Sequence, residues 1–248
     1  VLPTPVMMLL RLGIVLFLLG AGMLYSVRAG KLTPGGALTG GLLGALIYLG
    51  GGFVGLSMLA AFFLLGSAAS GWHLAEKRRL RLAEENKGRR TAGQVVANAG
   101  VAALAGLGGW LLPAQAALFQ LMLAGSFAAA TADTLASELG NVYGRRYYNV
   151  LTLRPDTRGL NGVISLEGTL CGVAGSVLIA GLYSLSVGWD REFGWLVLAG
   201  TVGNLTDSVL GATLERQHRL SNNAINFLNT LVGGLVAGLW YWVANAGL

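Results

Sequence analysis

The chain has 248 residues, 54% of them hydrophobic and 11% charged, with a mean hydropathy of +0.64. An average soluble domain carries about 25% charged residues, so this composition points to a polytopic membrane protein. The net charge of +6 is no nucleic-acid signature, because the basic residues lie between apolar runs, and the single Cys171 excludes a disulfide or thiolate metal cluster.

In chain order, eight apolar runs predict membrane spans at 6–27, 33–50, 51–70, 94–112, 116–139, 162–187, 193–214 and 224–246. The first is too long for a signal peptide and reads as a retained span. The second and third are separated only by Gly50-Gly51-Gly52, so they are either two spans or one long broken helix. The expectation is an all-α polytopic membrane bundle of seven or eight transmembrane helices. It forms a single integral-membrane domain over 1–248, with no soluble domain. The 39 glycines suit close helix approach in lipid.

Basic residues set the orientation. With eight spans, 15 of the 17 Lys and Arg residues fall in the connections on one face, leaving Arg11 and Arg191 toward the other. That face is predicted to be cytoplasmic. The run Glu76–Arg90, which includes Lys87, reads as a solvated helix there.

Carboxylates inside apolar spans are functional suspects, since a charge near a helix centre in lipid costs roughly 2.5–3.5 kcal/mol. Asp133 and Glu138 occupy the last two turns of the fifth span, and Asp207 lies near the end of the seventh. Asn204, Asp207, Ser208, Gly211 and Glu215 form one polar stripe at helical spacing. Gln94 and Asn98, Asn161 and Ser165, and Asn222, Asn226 and Asn229 open the even-numbered spans from the same side. Polar residues of five spans therefore converge at one depth. Glu138 has an alternative role as an interfacial partner of Arg145, and Glu215 as a partner of Arg216. The segment Arg154-Pro-Asp-Thr-Arg158-Gly leads into a helix N-terminus, where free N–H groups attract anions.

Four blocks carry a resemblance: Arg90–Asn98, Ala132-Asp-Thr-Leu-Ala-Ser-Glu-Leu-Gly140, Asn161–Thr169 and Asp207–Arg216. In this order they resemble the integral-membrane family that contains the chloroplast phytyl-phosphate kinase of tocopherol synthesis and its prokaryotic relatives. The short Asp-Thr-x-Ala-x-Glu pattern is also similar to the membrane-bound polyprenol kinases.

The resemblance implies a kinase that moves a phosphoryl group from a nucleoside triphosphate, CTP or another, to an isoprenyl monophosphate such as phytyl or geranylgeranyl phosphate. It assigns Mg²⁺ to Asp133, Glu138 and Asp207, with Arg158 beside them in catalysis. Phosphate and substrate contacts would come from Arg90, Asn98, Arg154, Asn161, Ser165, Asn204, Ser208, Asn222 and Asn226. No P-loop is present, so nucleotide binding would be unconventional. The rival expectation is an ion-coupled transporter, whose key acids would sit near the midplane and be reachable from both sides.

Overall fold

The structure, a computed structural model, describes residues 5–82 and 88–245. Lys87 lies outside them, as does part of the predicted helix over 76–90. The elements in chain order are α1 (Pro5–Arg28), α2 (Pro34–Gly71), α3 (Leu74–Arg79), α4 (Ala92–Leu111) and α5 (Ala116–Tyr143). They continue with the short strands β1 (Tyr148–Asn149) and β2 (Val163–Ile164), then α6 (Leu166–Val187), α7 (Arg191–Leu210) and α8 (Asn222–Asn245). A π-helical turn, Gly211–Glu215, ends α7. The membrane all-α bundle holds. Between α5 and α6 a small antiparallel hairpin pairs Tyr148 with Ile164 and Asn149 with Val163, so α6 starts at Leu166, four residues later than the predicted span.

Among the described residues, six helices, α1, α2, α4, α5, α6 and α8, are long and apolar enough to cross a membrane. The predicted seventh span, α7, has 20 residues but is not among them, because Asn204, Thr206, Asp207 and Ser208 crowd its last turns. It packs instead against α5, α6 and α8.

The 38 residues of α2 would reach about 57 Å as a straight helix, nearly twice a bilayer core of about 30 Å. The chain breaks at Gly52, whose φ of 57° and ψ of −150° suit glycine alone. A Cβ on Gly55 would meet Ile47 at 2.9 Å, and one on Gly44 would meet Leu59 at 3.3 Å. A straight helix would hold those pairs about 12 and about 22 Å apart. α2 is therefore a hairpin of two antiparallel segments, and the eight-segment reading is the one the backbone follows. Both ends of the hairpin meet at Arg90. Thr33 N–H donates to Arg90 O at 3.0 Å, and Gly66 faces the Arg90 guanidinium.

The core is built around α5, whose stretch from Leu123 to Ala132 is almost wholly buried. Small residues let its neighbours come close. A Cβ on Gly125 would lie 2.5 Å from Gly233 O of α8, and one on Gly140 would lie 2.9 Å from Gly168 Cα of α6. A Cβ on Gly200 of α7 would lie 2.9 Å from Ala128 C. These approaches fix the axial register of α5, and with it the height of Asp133 and Glu138.

Of the predicted solvated helix over 76–90, the described part is helical through Arg79 in α3, and Lys77 turns inward. Lys77 is 1% exposed. Two N-caps hold other site helices: Thr91 and Gln94 form a capping box on α4, and Ser165 accepts from Gly168 N–H at 3.1 Å to cap α6.

Candidate functional site

A polar cleft of about 410 Å³ opens at the basic end of the bundle, walled by α4, α5, α6, α7, α8 and residues of their connections. It gathers Asp133, Glu138, Asp207, Arg90, Asn98, Asn161, Ser165, Asn204, Ser208, Asn222 and Asn226 from widely separated stretches of chain. The whole predicted stripe Asn204, Asp207, Ser208, Gly211 and Glu215 faces it. Asn229 does not. It is fully buried between helices, close to Gly203 of α7.

Asp133 and Asp207 face each other within hydrogen-bond reach, and Glu215 adds its negative charge beside Asp207. With its amide turned to satisfy the groups around it, Asn226 donates to Asp207 Oδ1 at 3.3 Å and to Asn222 O at 3.3 Å. The Asn222 side chain in turn bonds Glu215. Glu215 is therefore part of the acidic wall, and the expected pairing with Arg216 does not form. Asn98 donates to Gln94 O at 2.9 Å, while its Oδ1 is buried with no hydrogen-bond partner among the described residues. The π-turn continues the stripe past the end of α7, and such turns recur at functional sites.

Glu138 departs from its expected role. Its Oε2 receives a 2.5 Å hydrogen bond from Lys77 Nζ, which also donates to Ala69 O at 2.9 Å. The expected partner, Arg145, instead brings its backbone N–H to Glu167 at 3.4 Å. Glu138 is charge-paired with Lys77, and among the described residues no three acids, histidines or cysteines cluster closely enough to hold an ion. Of the three expected carboxylates, Asp133 and Asp207 form a facing pair, while Glu138 lines the cleft with its Oε2 engaged by Lys77. That pair, with the orphaned Asn98 Oδ1 on the same wall, fits Mg²⁺, which commonly takes one or two carboxylates and completes its shell with substrate phosphates and water.

The arginines divide. Arg81 and Arg90 line the cleft. Arg90 is buried, its guanidinium 5.3 Å above the Phe62 ring, in space left by Gly66, where a Cβ would lie 2.6 Å from Nη2. Arg158 stands behind the wall, 5.9 Å from the ring centroid of Tyr147, with Nε and Nη2 buried and unpartnered among the described residues. Tyr147 itself lines the cleft, and its hydroxyl donates to Gly140 O and Gly144 O. Burial raises the Tyr147 pKa, Arg158 opposes that, and Glu167 adds to it. Arg154 is exposed and does not line the cleft.

The 144–165 connection is strapped down across the π-turn. Arg216 donates to Asp156 Oδ2 at 2.8 Å and to Asn161 O at 2.6 Å. Gly162, at φ 73°, presses on the Ala212 backbone so closely that no side chain would fit. The Thr157 N–H holds the Asp156 carboxyl below the usual carboxylate range, with Arg216 and Asn149 adding to the effect.

Sequence reasoning missed Lys77, Arg81 and Tyr147. Nothing in the charge run 76–90 distinguishes an inward lysine, and Tyr147 reaches the site only through the hairpin.

Residues 17–234 match the integral membrane protein family DUF92. The chain belongs to that family. It is 31% identical to Protein VTE6, chloroplastic, of Arabidopsis thaliana, over 90% of this chain and 68% of the relative. It is 35% identical to the uncharacterized membrane protein sll0875 of Synechocystis, covering 83% of this chain and 81% of that one. The membrane protein MJ0933 of Methanocaldococcus jannaschii is 33% identical over 83% of this chain and 84% of its own length. No solved structure gives a significant match. The matched span contains every cleft residue from Arg81 to Asn226, so the family relationship covers the whole site.

Proposed function

We propose that this protein is a membrane phosphotransferase that moves the γ-phosphoryl group of a nucleoside triphosphate to an isoprenyl monophosphate, giving the diphosphate. Phytyl phosphate and geranylgeranyl phosphate are the favoured acceptors. The carrying observation is the Asp133–Asp207 pair, set beside Arg90 and Arg81 in one cleft at the basic end. The four sequence blocks that resemble the phytyl-phosphate kinases support the same reading, as does membership of one membrane family with a chloroplast relative.

The chemistry suits the residues. An acceptor phosphate oxygen attacks the γ-phosphorus, the bridging P–O bond breaks, and the nucleoside diphosphate leaves. The attacking oxygen is already anionic, so the site needs no strong general base. The difficulty is bringing two polyanions together. Asp133 and Asp207 would hold Mg²⁺, which when bound neutralises the donor's phosphates. Arg90 and Arg81 offset the charge of the acceptor. Asn98, Asn222 and Asn226 orient the groups, and Arg158 is a reserve cation behind Tyr147. The excess of basic residues at that end supports a cytoplasmic orientation for this reaction.

The test is purified protein in nanodiscs with isoprenyl monophosphates, nucleoside triphosphates and Mg²⁺, scored for diphosphate. Nucleotide-dependent product, lost in Asp133→Asn and Asp207→Asn, supports the assignment. No product with any pair, together with solute uptake into proteoliposomes, overturns it in favour of the carrier.

A further inference from the structure

A second cavity, also about 410 Å³, lies between α1, the α2 hairpin and α4, and its walls are almost entirely apolar. Leu18, Leu19, Phe53, Leu59 and Phe63 are among the residues that line it. Three residues, Arg90, Gln94 and Asn98, line both this cavity and the polar cleft. The two spaces therefore meet at one joint, where the wall changes from hydrocarbon to cation and amide. The cavity is edged on the lipid side by Leu18, 48% exposed, and Phe53, 44% exposed. Along α1 it runs from Ser26 to Leu18, about 12 Å, and along the second α2 segment from Phe63 to Phe53, about 15 Å. Its volume is that of a small-molecule site.

We infer that this cavity is the binding site for the hydrocarbon tail of the acceptor, with the tail's phosphate anchored at the Arg90–Gln94–Asn98 joint and presented to the Asp133–Asp207 pair. The inference rests on the kinase reading and adds to it the place where the lipid lies. A phosphorylated lipid is the occupant that matches both ends: an apolar slot for its chain, and a buried guanidinium at the mouth for its anion. Dispersion contacts along the slot favour chains long enough to fill it. Exposure of Leu18 and Phe53 lets the tail slide in from the bilayer without crossing water.

Two glycines on the wall allow the slot to be filled without displacing backbone. A Cβ on Gly22 meets nothing within 4 Å, and one on Gly40 makes only ordinary contacts with Val95 at 3.9 Å and Leu32 at 4.0 Å. Gly22→Trp and Gly40→Phe should each lower the ratio of affinities for geranylgeranyl over dimethylallyl monophosphate about tenfold, read as direct binding of radiolabelled ligand in nanodiscs. Gly20→Trp, on the same helix but off the cavity wall, is the control for folding and insertion, since its Cβ also meets nothing within 4 Å. If wild-type protein binds geranylgeranyl monophosphate and both filled variants keep the ratio, the tail site is wrong while the kinase reading stands. Displacement of the label by bilayer phospholipid as readily as by unlabelled ligand also overturns it, because the slot is then an acyl-chain site. Wild-type protein that binds and phosphorylates no isoprenyl monophosphate overturns both.

Discussion

Asp133 of α5 and Asp207 of α7 place two carboxyl groups within hydrogen-bond reach in a largely buried cleft, with Glu215 adding charge from the π-turn. Like charges so close oppose folding unless a cation or a proton sits between them. A bound cation or a shared proton would relieve that repulsion.

Asp133→Asn and Asp207→Asn should each cut phosphotransfer at least about a hundredfold, the scale of losing one electrostatic contact to developing charge. Each should leave the thermal midpoint of the metal-free protein equal or higher, because repulsion is relieved. Thermal unfolding in detergent alongside a turnover assay measures both. A large fall in midpoint with either variant would mean the pair is structural.

Lys77 and Glu138 form a buried pair, at 1% and 8% exposure. Breaking one side strands a charge, at about 3–5 kcal/mol. Lys77→Met should therefore lower stability by about that much, and adding Glu138→Leu should recover most of it. A double variant no more stable than Lys77→Met would show that the pair contributes through something other than charge compensation.

The Asp156–Arg216 strap gives a pH dependence with a definite sign. Asp156 is held below its ordinary carboxylate value. Its contribution is complete above the unfolded pKa of about 3.9 and fades as the pH falls through the lower folded value. Amide exchange over 144–165 should accelerate in that acidic window. Asp156→Asn should exchange faster at neutral pH and lose the acid-dependent step.

Gly66→Val fills the space of the Arg90 guanidinium, since even a Cβ would lie 2.6 Å from Nη2. Because Arg90 is buried against Phe62, it has little room to yield. Affinity for isoprenyl monophosphate should drop about tenfold, with a smaller change for the phosphate-free alcohol. Equal losses for both ligands would place Arg90 outside phosphate recognition.

The sequence carried the periodic part of this architecture. Asn204 to Glu215 repeat at helical spacing, so the polar stripe was readable before any coordinates, as was the depth of Asp133. Contacts that cross between elements were not. Glu138 bonds Lys77, 61 positions away, and no local pattern separates that lysine from its solvated neighbours. The Gly50-Gly51-Gly52 run left two readings open, and only the meeting of Ile47 with Gly55 settles them. Arg154 and Arg158 lie four residues apart in one connection, yet the turn geometry exposes Arg154 and buries Nε and Nη2 of Arg158. Glu215 and Arg216 looked like a pair because adjacency suggests one, but successive helical positions point in different directions.

Arg90 has one more consequence. Its backbone joins the α1–α2 connection like a single rung of ladder, with its N–H donating to Lys31 O at 2.9 Å and its carbonyl accepting from Thr33 N–H at 3.0 Å. Those two bonds tie the outermost helices directly to the residue at the mouth of the cleft. Any displacement of the α1–α2 connection would therefore be passed to Arg90 through its backbone as well as its side chain.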